Sequence, residues 1–319
     1  MTPVDVAAVL AVVVLSLYAV LGGADFGGGV WDMLATGERR NAQRAAVTHA
    51  IGPVWEANHV WLIFAIVLFF ACFPGAFADV FVGLYFPLTF ALAGVVLRGA
   101  AFVFRNFAED AVRTAGAWTA VFGAASIIAP FFFGASIGAV ATGRYAWTSP
   151  FALGIGLFAV AVCAQLAAVF MTVETVDDAQ LQNDFRARAL SATLTVAIVG
   201  AAVLGMSAVS EPKFFAGIVS PRGLSGVAVA MVLGAVLFVL VFVRRFSAAR
   251  IAVAAEAVAI LCGWFGAQAP YLVPGRLRYV DAAAPESALV AFLWTAAIGA
   301  VFLIPSLGLL FVVFKRRAA

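Results

Sequence analysis

The sequence predicts an all-α polytopic membrane protein with about nine transmembrane helices, its N-terminus outside and its C-terminus in the cytoplasm. Three observations carry this. The 319 residues are 65% hydrophobic and only 11% charged, against roughly 45–50% and about 25% in ordinary soluble domains. Apolar runs recur from end to end, many near the ~20 residues that cross a bilayer as a helix. The ~10-residue alternating segments of a transmembrane β-barrel are absent from the sequence.

Taken in order, span one covers 4–34 and has Asp5 near its start, with no Lys or Arg before it. It therefore lacks the basic region of a cleaved signal peptide. Its second half, GGADFGGG, can bend or run obliquely, and TGERRN follows it. Span two, 54–73, opens within GPVWEANHVWLIF and ends at FPGAFAD, and span three, 78–104, closes on FVFRNF. Spans follow at 115–140, 151–173, 187–209, 223–243, 250–272 and 287–314. SEPK, SPRG and PYLVPG supply the turn residues between the later ones. Arginines and lysines gather after spans one, three, five, seven and nine, as at Arg39, Arg40, Arg105, Arg186, Arg244 and Lys315. The positive-inside rule then fixes the predicted orientation. The whole chain, 1–319, reads as one transmembrane domain. FVFRNF and FVRRF hint at two halves, 1–140 and 151–272, with an extra helix at 287–314. Apolar helices that end in arginine at the inner face give the same pattern without duplication.

Ionisable residues inside a span cost about 2.5–3.5 kcal/mol each at the bilayer centre, so each needs a reason. In the predicted topology Asp25, Asp32, Glu56, His59, Arg98, Glu174 and Glu256 all fall towards the inner side. Interfacial solvation accounts for Asp32 and Glu174. It does not suit Asp25, whose side chain is too short to snorkel and whose glycine neighbours, Gly27 and Gly29 among them, invite a second helix close. Arg98 matches Asp25 in depth, as an ion-pair partner. Glu56 and His59 are three apart and share a helix face, with Trp55 and Asn58 on the adjacent one. E-x-x-H is half of a di-iron ligand set. The only other histidine, His49, has no Glu three residues before it, so no metal site is expected. His49 lies in a loop and His59 in a helix, which also disfavours a haem held by both. Cys72, Cys163 and Cys262 fall within spans and read as small hydrophobes. Chains of Asp, Glu and His are the usual material of proton relays. Desolvation shifts a carboxyl group's proton affinity towards the working range. Glu56, with His59, thus reads as a proton entry.

AVLGGADFGGGVWDML, together with GPVWEANHVWLIF and LFFACFPGAFADVF, resembles the first two helices of subunit II of cytochrome bd-type quinol oxidases. LRGAAFVFR, with Arg98 and Arg105, is similar to the end of that family's third helix, and PYLVP also fits. The specific match covers about the first third of the chain. The resemblance implies nine helices and a place in the bacterial inner membrane. It implies a haem-bearing subunit I as partner, carrying haems b and d or b only, and no haem in this chain. It implies a complex that oxidises quinol and reduces oxygen to water with protons from the cytoplasm. It maps the family's implicated proton-route acid to Glu56 and its helix-one acid to Asp25, with Asn58 and His59 alongside and Trp55, Trp61, Arg98, Arg105, Gly27 and Gly29 in support. Glu56 stands where the family has Asp, Ala57 where it has Gly, and His59 where it has Glu or Gln. A further family acid just before the helix-one Asp is missing, because Gly22 and Gly23 occupy that region. A bound quinone or lipid, a small single-helix subunit, surrounding lipids and the quinol pool complete the expected partners, with no nucleic acid. Two rivals remain at this stage: a proton-coupled secondary transporter, and a purely structural partner subunit.

Overall fold

The structure, a computed structural model, describes residues 1–52, 55–107 and 111–316; the side chains of 55–56, 106–107, 111–115, 310–311 and 314–316 lie outside that description. Local sequence explains where the helices begin. α1 (Pro3–Met33) starts with a capping box in which Thr2 and Asp5 satisfy each other's backbone amides. α7 (Pro150–Glu174) and α10 (Pro221–Phe242) start the same way, a serine cap followed by proline. Proline suits a first helical position, whose N–H has no partner within the helix. α8 (Ala179–Ser210) is capped by Asp178, which accepts from the backbone of Gln180 and Leu181.

The remaining elements are α2 (Arg40–Ile51), α3 (Trp55–Cys72), α4 (Pro74–Gly83), α5 (Tyr85–Phe107), α6 (Ala111–Ala141), α9 (Pro212–Ile218), α11 (Phe246–Gln268) and α12 (Glu286–Arg316). A short antiparallel hairpin, β1 (Tyr271–Val273) with β2 (Leu277–Arg278), lies between α11 and α12. Among the described residues eight helices are long and apolar enough to span a bilayer. The bent pair 57–72 and 74–83, turning through 119°, brings the number to nine when counted as one span.

Three differences from the sequence expectation have local causes. Residues 78–83 belong to α4 and not to the third span, because Pro74 starts a new helix and the chain breaks again at Leu84. The segment after α1 is not a loop: α2 is amphipathic and places His49 in a helix. Val47 and Ile51 of α2 are buried with Phe102, Phe122, Met171 and Phe185, while Gln43 donates to Asp184 at 2.9 Å and accepts from Arg188 at 2.6 Å. The PYLVPG turn forms the hairpin, whose Tyr279 donates to Asp5 at 2.8 Å and so ties it to the start of α1.

α1 is central and packs on α3, α6 and α7. Two positions on it require glycine. A Cβ on Gly27 would strike the Cys163 carbonyl of α7, and one on Gly29 would strike Ser126 of α6. Neighbour pairs recur along the chain. α1–α3, α1–α6 and α5–α6 contacts in the first part match α7–α8, α7–α11 and α10–α11 in the second. α12 rests against α1 and α3.

Candidate functional site

α1 carries Tyr18, Asp25 and Asp32 at seven-residue intervals, close to two helical turns, so they line one face. α5 carries Arg98 and Arg105 at the same interval. The two helices run in the same direction and their polar residues meet rung by rung. In the first rung Arg98, only 1% exposed, donates through Nη2 to the backbone carbonyl of Asp25 at 2.9 Å and through Nε to Ser126 Oγ at 3.2 Å. Its guanidinium also lies over the rings of Phe26 at 5.3 Å and Phe122 at 5.1 Å. Aromatic faces attract a cation, and more strongly where water is excluded.

The Asp25 carboxylate takes a different partner. Asn58 of α3 donates Nδ2 to Asp25 Oδ2 at 2.6 Å, and both residues are buried. Arg98 therefore sits beside Asp25, but its bond goes to the main chain; the expected ion pair is instead a carboxylate–amide pair with a guanidinium alongside. His59 follows Asn58 on α3, with its ring 6.0 Å from those of both Tyr18 and Phe26. Tyr18 Oη is buried with no hydrogen-bond partner among the described residues. Trp61, one turn further, packs into the cluster of Tyr18, Phe26, Ala129 and Cys163.

In the second rung Asp32 is fully buried and paired with Arg105 at 3.0 Å. This overturns the reading of Asp32 as a solvated interfacial residue. Arg105 also donates to Thr48 Oγ1 at 2.9 Å, Arg44 donates to the Asp32 carbonyl at 3.1 Å, and the Arg105 guanidinium lies 4.5 Å from the Phe122 ring. Phe122 thus separates the two guanidinium groups. The rungs lead from α2, at the end of the bundle where α1 finishes, inward to Asp25.

Trp55 and Glu56 open α3, so Glu56 lies in its first turn, two residues before Asn58. The side chains of both fall outside the described residues, and no contact is assigned to them. Glu174 is 4.0 Å from Arg250 at the end of α7. Among the described residues no three His, Cys, Asp or Glu side chains converge on one point. Sequence reasoning missed Asp32, Ser126 and Tyr18 as members of this site. The signal was present for two of them, in the matched seven-residue spacings of α1 and α5; nothing in the sequence singled out Ser126.

Comparison with known proteins adds to the geometry. The family described as "Cytochrome bd terminal oxidase subunit II" matches residues 3–314. Cytochrome bd ubiquinol oxidase subunit 2 of Bacillus subtilis is 31% identical over 203 residues, 60% of this chain and 57% of that protein. Cytochrome bd-I ubiquinol oxidase subunit 2 of Escherichia coli K12 is 28% identical over 202 residues, 58% of this chain and 52% of that one. The aligned region thus spans only about half the length of these curated relatives. A chain of the bd oxidase from Geobacillus thermodenitrificans has the same fold, with a TM-score of 0.80 at 19% identity over 98% of this chain and 99% of that one.

Proposed function

We propose, from the premise that this chain belongs to the cytochrome bd terminal oxidase subunit II family and is a multi-pass protein of the bacterial inner membrane, that it is the non-haem subunit of a complex that oxidises quinol and reduces oxygen to water. Its partner is a haem-bearing subunit I, carrying haems b and d or b only, which this chain stabilises. The end of the bundle bearing α2 faces the cytoplasm and the N-terminus lies outside. The chain divides into halves 1–140 and 151–272 with an extra helix at 287–314.

The finer role is proton uptake. Protons enter at Glu56, in the first turn of α3, and pass to Asp25 along the side of α3 that carries His59, while Asn58 holds the Asp25 carboxyl in place on that path. The observation that carries this reading is the Asn58–Asp25 hydrogen bond at 2.6 Å, which joins α3 to α1 at a buried acid. A buried carboxyl without a cation bonded to it is costly as an anion and can exchange a proton instead. Arg98, held beside it but bonded elsewhere, lowers the cost of the anion transiently formed. The Asp32–Arg105 pair does not need to carry protons: its charges are mutually neutralised, and it closes the bundle around the entry.

The test is Glu56→Gln in the purified complex. Haem content and co-purification of subunit I are expected to stay at the wild-type level, while oxygen consumption falls at least tenfold. Normal consumption with normal haem would leave the chain as a scaffold. A preparation with neither haem nor a second polytopic subunit would defeat the oxidase reading and favour proton-coupled transport.

A further inference from the structure

The second set of repeated helix contacts encloses a polar cluster of its own. Glu256 of α11 is buried, 5% exposed. Its Oε2 accepts from Nε2 of Gln165 on α7 at 3.0 Å, and Gln165 Nε2 also donates to Thr193 Oγ1 of α8 at 3.3 Å. Thr193 in turn donates to the Ala189 carbonyl at 2.8 Å. Gln165 is 1% exposed. Among the described residues Glu256 makes this one hydrogen bond and no ion pair.

The two clusters can be compared helix by helix in the order of the helix contacts. α1 and α7 supply Asp25 and Gln165, α3 and α8 supply Asn58 and Thr193, and α6 and α11 supply Ser126 and Glu256. α5 supplies Arg98, whereas α10 supplies Gly234: a Cβ there would lie 2.8 Å from Glu256 Oε1. Each set of four helices therefore joins one acid to one amide across a helix interface. The first provides a guanidinium beside its acid. The second leaves a glycine, and the carboxyl fills the space.

That difference decides the charge state. A buried carboxylate with only an amide donor keeps most of its desolvation penalty, and the usual resolution is to hold a proton. Several charged residues on the packed elements bond to groups other than Glu256: Arg188 of α8 donates to Gln43, and Asp184 of α8 accepts from Arg39 and Gln43. Arg250 of α11 is near Glu174 of α7, Arg186 of α8 donates to the carbonyls of Val241 and Phe242, and Arg98 is bonded to the Asp25 carbonyl on α1.

We propose that Glu256, with Gln165 and Thr193, is a second buried proton-binding site, distinct from the entry at Glu56. It goes beyond the uptake route and stands even where Glu56 proves not to conduct. Its chemistry is proton storage between α7, α8, α10 and α11: a neutral acid there gives up its proton only when a compensating charge or water approaches.

Infrared spectroscopy of the purified complex near neutral pH tests this. The expected spectrum contains a protonated-carboxyl C=O stretch that shifts on exchange into D2O and is lost in Glu256→Gln. Gln165→Leu keeps the acid but removes its donor, and is expected to displace the same band without abolishing it. An unchanged C=O region in Glu256→Gln, with loss of an ionised carboxylate stretch instead, overturns the proposal. Should Glu256→Gln fail to assemble, Gln165→Leu decides: displacement of the band supports the site, and an identical C=O region refutes it.

Discussion

Replacing Arg98 by methionine removes a side chain that holds three helices together at once. The guanidinium on α5 bonds to α1 at the Asp25 carbonyl and to α6 at Ser126, and it lies between the rings of Phe26 and Phe122. Each lost charged hydrogen bond is worth about 1.5–3 kcal/mol, and each desolvated ring contact ~0.5–2 kcal/mol. Against this, the variant no longer desolvates a guanidinium, a saving of several kcal/mol. What remains is dominated by Asp25, now buried with Asn58 but no adjacent cation. The net destabilisation works out at roughly 2–4 kcal/mol. At about 2 °C per kcal/mol for a chain of this length or somewhat shorter, the apparent Tm falls by roughly 4–8 °C. The assay is a thermal ramp in detergent at one fixed scan rate, following loss of the monodisperse species, because unfolding of such a protein is governed by rate. The double variant Arg98→Met with Asp25→Leu removes the uncompensated acid too and is expected to recover more than half the loss. A single variant within about 1 kcal/mol of wild type, or a double variant no better than the sum of its singles, would refute the reasoning.

Other expectations follow from the same contacts. Gly27→Val drives a side chain into the Cys163 backbone; this overpacking costs ~1–3 kcal/mol or more and is read as lost yield of folded protein, with Gly205→Val, which meets open space, as control. Arg105→Met leaves Asp32 buried and unpaired, a loss of about 3–5 kcal/mol, which Asp32→Leu in the same chain is expected to relieve in the thermal ramp. Tyr279 hydrogen-bonds to Asp5, and that bond, aided by partial burial, raises its phenol above the ordinary tyrosine value. A raised folded value means the neutral form is favoured in the fold. The tie is therefore complete below pH ~10 and is lost as pH rises through the folded value. Proteolysis within 269–285 is expected to accelerate in that alkaline window, and Tyr279→Phe to abolish the pH dependence.

Composition and apolar run length determined the class, because a chain this poor in charge has no soluble way to cover its surface. Caps such as Thr2–Pro3, Ser149–Pro150 and Ser220–Pro221 determined helix starts, since those residues satisfy the first amides locally. The motifs around Asp25 and Asn58 marked two of the residues that meet, and the close spacing of glycines in α1 announced a tight crossing. Tertiary structure alone decided which partner each polar group takes. Depth in the bilayer matched Arg98 to Asp25, yet rotation about the α1 and α5 axes sends the guanidinium to the carbonyl and leaves the carboxylate to Asn58. Asp32 reads as interfacial by position, and becomes fully buried because α2 folds back over the end of α1 and Arg105 reaches it from α5. Glu256 and Gln165 lie far apart in sequence with no motif between them. Only the packing of α7 against α11 makes them one site, since a hydrogen bond depends on a few ångströms of side-chain placement that hydropathy and periodicity do not encode.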